Sequence, residues 1–206
     1  MKVILVNGSP RKKGCTNRAL EEIKVTLEKE GIETVIFHVD PKVVGCNACG
    51  YCKKENKCIY NDCVNEFVEM AKDADGFVFG SPVYYGGPSG EIMSFMDRVC
   101  YSSARQTLYH KPVASVVSCR RGGNSQSFSQ LNMYYLMNNM IVIGSQYWNM
   151  VHGNTVSEVE QDTEGLQTMR TLAKNMAWIL KSIEVAKKSG IEKPSVEARL
   201  ATNFIR

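Results

Sequence analysis

Residues 2–17 read Lys2-Val3-Ile4-Leu5-Val6-Asn7-Gly8-Ser9-Pro10-Arg11-Lys12-Lys13-Gly14-Cys15-Thr16-Asn17. Residues 2–6 are an unbroken β-branched and aliphatic run with no polar alternation. Such a run is a strand buried on both faces, as in a parallel sheet covered on both sides. From 16 to 30, Ala19, Leu20, Ile23 and Leu27 recur at helical spacing. Gly31 ends that helix. The polar loop 7–14 therefore joins a buried strand to a helix N-terminus. There, unpaired backbone N–H groups and the positive end of the helix dipole make an anion site. Ser9 and Thr16 add hydroxyl donors, Asn17 an amide and Arg11 a charge. Five residues separate Gly8 from Gly14 and Cys15-Thr16 follows, so the segment is not a Walker A loop. The dinucleotide fingerprint G-x-G-x-x-G is absent as well. The purely structural alternative is a loop capped by Ser9 and Thr16.

Further runs continue the alternation. Strands are expected over 33–38, 76–80 and 112–118, and a fifth begins at Ile141-Val142-Ile143. Helices are expected over 63–72, 91–99, 126–139 and 166–187, with loops over 81–89 and 119–125. Apolar strands alternating with helices predict an α/β doubly wound parallel sheet. Residues 1–187 are expected to form one domain, with a Cys-rich insertion over 40–62 and a tail or arm over 188–206. In such sheets ligands bind beyond the carboxyl ends of the strands. The loops after the first, third and fourth strands should therefore converge.

The chain has 206 residues, 44% hydrophobic and 22% charged, enough for one well-buried core. A net charge of +4, with no basic run longer than Arg11-Lys12-Lys13, predicts no nucleic-acid partner. No apolar run approaches the roughly 20 residues of a membrane span. The opening apolar run is too short for a signal peptide, so a cytoplasmic location is expected.

Asn7-Gly8-Ser9-Pro10-Arg11, followed by Gly14-Cys15-Thr16, resembles the phosphate loop of the flavodoxin-like NADPH-dependent FMN reductase superfamily. The usual family form has Asn where this chain has Cys15. The second loop, Gly80-Ser81-Pro82-Val83-Tyr84-Tyr85-Gly86-Gly87-Pro88-Ser89-Gly90, is similar to the superfamily loop that lines the isoalloxazine ring. Tyr84 and Tyr85 supply ring surface, and Gly86 and Gly87 allow close main-chain approach. The third loop, Ser118-Cys119-Arg120-Arg121-Gly122-Gly123, also resembles a segment of the superfamily. Donors there would face the pyrimidine carbonyls, and a positive charge would favour the reduced anionic flavin. The resemblance covers roughly residues 1–180. It implies a flavodoxin-like five-stranded sheet of order 2-1-3-4-5. It also implies FMN held by Ser9, Arg11, Cys15, Thr16, Asn17, Pro82, Val83, Tyr84, Tyr85, Gly86, Gly87, Ser118, Cys119, Arg120, Arg121, Gly122 and Gly123. The segment 146–153 looks like one found in a subgroup, with no role assigned to it; from it His152 or Trp148 would reach the flavin of the same or a neighbouring subunit. His38 and His110 read as structural.

Five of the eight cysteines fall between 46 and 63. Cys46-x2-Cys49-x2-Cys52-x5-Cys58 fits four thiolates around one cube, since two tight spacings turn three sulfurs inward and a longer arm returns the fourth. Zinc sites space their C-x2-C pairs farther apart. A reduced thiol loop and a redox-active Cys pair stay open as alternatives. The spacing resembles that of the iron-sulfur flavoproteins, a branch of the same superfamily, which implies a 4Fe-4S cluster exchanging electrons with FMN. Cys63 reads as a small apolar residue.

The expected function is an FMN-dependent oxidoreductase, NAD(P)H-dependent by resemblance. It would pass electrons from the bound flavin to free flavin, a quinone or another small acceptor. No catalytic acid or base is expected, because the flavin carries the chemistry. The alternative is an electron carrier using FMN and a 4Fe-4S cluster, with ferredoxin as partner. A flavodoxin-fold binding module without flavin is a third reading. The resemblance implies a homodimer or homotetramer. Met133, Tyr134, Tyr135, Met137 and Met140 are apolar enough for core or interface.

Overall fold

The computed structural model describes residues 1–102, 107–198, 200, 202 and 204. The strands β1 (Lys2–Asn7), β2 (Glu33–His38), β3 (Gly76–Tyr84), β5 (Pro112–Cys119) and β6 (Ile141–Val142) form a parallel sheet in the order β2-β1-β3-β5-β6. This is the expected flavodoxin-like order. Two further strands join it. β4 (Gly87–Pro88) folds back antiparallel on β3, and β7 (Met150–His152) runs parallel to the end of β5.

Alternation within the strands explains the two covered faces. Val3 and Leu5 point to one side, under α1 (Cys15–Lys29) and α7 (Thr163–Lys188), where Leu20, Ile23, Leu172 and Met176 are buried. Ile4 and Val6 point to the other, under α3 (Cys63–Lys72), α4 (Gly90–Ser102) and α5 (Asn124–Met137). That second face is aromatic. Phe67 meets Phe95 at 5.1 Å, Phe37 at 5.4 Å and Phe77 at 5.8 Å between ring centroids. Offset and edge-on contacts of this kind add to simple area burial. Tyr135 belongs to this core, whereas Met133 and Met137 are exposed on α5.

Helix α1 ends as its Gly31 required. Gly31 has φ +78°, its N–H reaches Glu28 O at 3.0 Å, and the Ile32 N–H reaches Leu27 O at 3.0 Å. This is the paired bond pattern of a Schellman cap.

Three expectations need correction. Residues 81–84 are not loop: β3 continues to Tyr84, because Ser81 and Pro82 remain paired with Val117 and Ser118 of β5. The fifth strand is split. β6 pairs with the start of β5 and β7 with its end; Ile143 and Asn149 still bond β5 backbone, and residues 144–148 leave the sheet between them. Helix α6 (Val156–Gln161) lies where no element was expected; Thr155 and Glu158 cap it reciprocally. A short helix, α2 (Cys52–Glu55), interrupts the otherwise irregular Cys-rich insertion. Of the expected tail, 189–198 holds no helix or strand, and 199, 201, 203, 205 and 206 lie outside the described residues. Among the described residues no helix is long and apolar enough to cross a membrane.

Candidate functional site

The carboxyl ends of β1, β3 and β5 open into a cleft of about 200 Å³. Ser9, Arg11, Cys15, Thr16, Pro82, Val83, Tyr84, Ser118, Cys119 and Arg120 line it, together with Gly14, Gly153 and Asn154. The three loops do converge. Asn17, Tyr85, Gly86, Gly87, Arg121, Gly122 and Gly123 are not among the lining residues.

The first loop is held open by its own chain. The buried Asn7 accepts the Ser9 N–H at 3.0 Å and donates its amide to Lys12 O at 3.2 Å and to Asn17 Oδ1 at 3.3 Å. Ser9 Oγ accepts the Arg11 N–H at 3.2 Å, and the His38 ring bonds Ser9 O at 2.9 Å. Gly8 is wedged beneath: a Cβ there would stand 2.5 Å from Ile92 Cβ. The helix N-cap is Gly14, with no side-chain cap, so neither Ser9 nor Thr16 caps α1. Their hydroxyls face other tasks. Thr16 Oγ1 and Ser118 Oγ share a hydrogen bond at 2.8 Å across two loops. The N–H groups of Cys15, Thr16 and Asn17 form the first turn of α1, where a helix offers them no carbonyl. Asn17 turns its amide away, donating to Glu21 Oε1 at 2.7 Å.

The second and third loops meet through glycine. Tyr85 (φ +51°) and Gly86 (φ +80°) make the tight turn between β3 and β4. That turn leaves Tyr84 against the cleft and Tyr85 fully exposed at the tip. Gly123 has φ +89°, and a Cβ there would lie 2.7 Å from Gly86 Cα and 2.9 Å from Val83 Cγ1. Gly86 and Gly123 thus bring the two loops together. Of the arginine pair, Arg120 lines the cleft and Arg121 stands outside it. Burial pushes the Cys15 and Cys119 thiols up.

Trp148 and His152 lie apart, in a small cleft shared with Tyr147, Met150 and Asp162. The His152 ring bonds the Asn124 amide at 3.1 Å. Gly153 and Asn154, next along the chain, line the main cleft and were missed. The Thr155-x-x-Glu158 capping signature, which halts the chain there before α6, was the available signal.

A second cavity, of about 250 Å³, lies in the Cys-rich insertion and is lined by Cys46, Cys49, Cys52 and Cys58, with Tyr60, Arg98 and Tyr101 beside them. Left-handed backbone at Ala48 (φ 57°), Gly50 (φ 72°) and Asn56 (φ 53°) curls the loop around it. The Cys52 thiol is pushed up by burial and then by its neighbours Cys46, Cys49 and Cys58. Four cysteines line this cavity, the number of thiolates that a cubane cluster takes at one per iron. Among the described residues no three His, Cys, Asp or Glu side chains are grouped closely enough to hold a metal ion. Cys63 packs against the aromatic core, as a small apolar residue should. Arg98, invisible as a site residue in the sequence, reaches this cavity from α4. Burial works against its charge, but Asp62 and Cys58 together outweigh that and raise its pKa above the ordinary arginine value.

Residues 1–155 match the family model described as NADPH-dependent FMN reductase. An iron-sulfur flavoprotein of Methanocaldococcus jannaschii is 34% identical over 192 residues, covering 89% of this chain and 100% of the relative. One from Archaeoglobus fulgidus is 32% identical over 196 residues, covering 88% and 98%. A solved archaeal flavodoxin superposes with TM-score 0.61 at 16% identity, over 88% of this chain and 99% of that one. The structure of RosB superposes with TM-score 0.70 at 14% identity, over 100% and 92%. The chain belongs to the flavodoxin-like NADPH-dependent FMN reductase family, in the branch of its iron-sulfur flavoprotein relatives. Membership makes it an FMN-binding flavoprotein of the oxidoreductase class.

Proposed function

We propose that this flavoprotein holds FMN in the three-loop cleft and a 4Fe-4S cluster on Cys46, Cys49, Cys52 and Cys58, and moves electrons between them and outside partners. The observation that carries the reading is the gathering of all four cysteines around one cavity, in a chain whose three-loop cleft also presents a helix N-terminus. The relatives' shared designation as iron-sulfur flavoproteins supports it.

FMN, when bound, supplies a redox centre able to exchange either one or two electrons, and the chain supplies binding, orientation and charge. The first-turn N–H groups of α1, with the hydroxyls of Ser9, Thr16 and Ser118, cradle the phosphate. Arg11 lies at the cleft wall to balance its charge. Pro82, Val83 and Tyr84 offer an apolar wall to a flat ring, and Arg120 brings a positive charge to its polar edge. Cys15 and Cys119 line the same cleft, their thiols pushed up by burial. The insertion's four cysteines act as thiolate ligands.

The family description also supports a second reading, in which NADPH or NADH is the electron donor and a small acceptor completes the reaction. The two share one test. Protein purified anaerobically is expected to show flavin absorption together with iron and acid-labile sulfide. Flavin without iron, bleached rapidly by NADPH, would favour the plain reductase. Protein with neither chromophore, and unable to quench added FMN fluorescence, would sink both.

A further inference from the structure

Among the described residues Arg98 is the largest fully buried side chain, at 1% exposure. A guanidinium carries five N–H donors in one rigid plane. Here every one has a partner. Nη1 and Nη2 grip Asp62 Oδ2 and Oδ1 at 2.7 and 2.8 Å. Nη1 also reaches Val44 O at 3.3 Å. The remaining two donors, Nε and Nη2, both point at Cys58 Sγ, each at 3.2 Å. Tyr60 places its ring 4.9 Å from the guanidinium carbon.

Cys58 is also fixed by its backbone. Its N–H donates to Asn65 Oδ1 at 2.9 Å, and the Asn65 amide donates back to Cys58 O at 2.9 Å. Cys46 and Cys49, by contrast, sit on the exposed limb of the insertion. Cys58 is therefore anchored to the core through α4, whereas Cys46 and Cys49 ride on a loop and Cys52 opens the short helix α2.

We infer that Arg98 is the positioning residue of the cysteine site: its guanidinium holds Cys58 as the fixed ligand and raises the reduction potential of the cluster. This rests on the cluster reading above. The physical reason is direct. Reduction adds one electron, hence one negative charge, to the cluster and its thiolates. Hydrogen bonds and buried positive charge at a ligand sulfur favour that added charge, and both are levers on iron–sulfur potentials. Asp62 opposes the effect, because its carboxylate neutralises part of the same field. Arg98 and Asp62 should thus act with opposite sign.

The test is an anaerobic redox titration of the purified holoprotein with dithionite. Dithionite is oxidised as it gives one electron to each cluster, followed by electron paramagnetic resonance; flavin absorbance reports the FMN couple separately. Arg98→Gln is expected to make cluster reduction at least tenfold less favourable, a drop of 59 mV or more for a one-electron couple. Asp62→Asn keeps an oxygen for the Val64 N–H that caps α3 and for Arg98 Nη2, and removes the opposing charge together with the acceptor of Arg98 Nη1. It is expected to raise the cluster potential. The FMN potential should stay at the wild-type value in both. If Arg98→Gln loses iron while retaining FMN, the anchoring role is supported directly; if it loses FMN as well, Asp62→Asn alone decides. Wild-type potentials in both iron-loaded variants, or shifts of the same sign, would overturn the inference and leave the cluster intact as a reading. Wild-type protein with flavin but no iron or sulfide would instead overturn the cluster reading, and the inference with it.

Discussion

Replacing Ser9 by alanine separates the phosphate cradle from the rest of the flavin site. Ser9 Oγ already accepts the Arg11 N–H at 3.2 Å, so its own proton is free to donate. A hydroxyl donating to a phosphate makes a charge-assisted bond, contributing about 1.5–3 kcal/mol. Ser9→Ala should therefore weaken FMN binding by roughly 10- to 150-fold, at about 1.4 kcal/mol per factor of ten. Thr16 differs. Its hydroxyl is paired with Ser118 at 2.8 Å, so one proton of the pair points between the oxygens and one remains for the ligand. In Thr16→Val, Ser118 still donates, and the loss should be smaller, about 0.5–1.5 kcal/mol. The assay is fluorescence titration of apoprotein with FMN and, in parallel, with riboflavin, which lacks the phosphate. Both variants should bind riboflavin as wild type does. Equal losses for FMN and riboflavin, or a larger effect of Thr16→Val than of Ser9→Ala, would refute the reasoning.

Other expectations are simpler. Cys49→Ala should abolish iron and sulfide and leave FMN content unchanged, as read by metal analysis and absorption. Phe67→Ala should cost about 3–5 kcal/mol in denaturant unfolding, because four phenylalanine rings surround it in the aromatic core; a loss below about 1 kcal/mol would show that core to be loosely packed. Glu22 links α1 to α7. Burial alone would raise its carboxyl, but hydrogen bonds from Arg170 and Arg18 outweigh that and hold it below the usual carboxylate range. A depressed folded-state value stabilises the fold above the unfolded carboxyl pKa near ~4.3 and ceases to do so as pH falls through the folded value. Glu22→Gln should thus lose about 1 kcal/mol at pH 7, with the difference from wild type vanishing in acid.

The architecture was legible because its signals are local. Val3 to Val6 and Phe77 to Phe79 are apolar without alternation, and Leu20, Ile23 and Leu27 share a helical face. What failed to show were features fixed by partners distant in sequence. Pro82 stays in a strand because Ser118 pairs with it. The fifth strand breaks because β5 offers its two ends to two different segments. Tyr84 and Tyr85, like Arg120 and Arg121, are indistinguishable as neighbours in a string. Only the turn at Tyr85 and Gly86 and the end of β5 decide which member faces the cleft. Arg98 was hidden for the same reason: its partners Cys58 and Asp62 are brought to it by the insertion, forty and thirty-six residues earlier in the chain.

Phosphorus NMR of the bound cofactor examines the loop after β1 most directly. A phosphate gripped by the first turn of α1 and by Ser9 should resonate away from free FMN. It should also stay dianionic across the pH range near ~6 where a free monoester takes up its second proton. A resonance that titrates in the protein as it does in free solution would mean that this loop does not hold the phosphate, and the account of the site would fail.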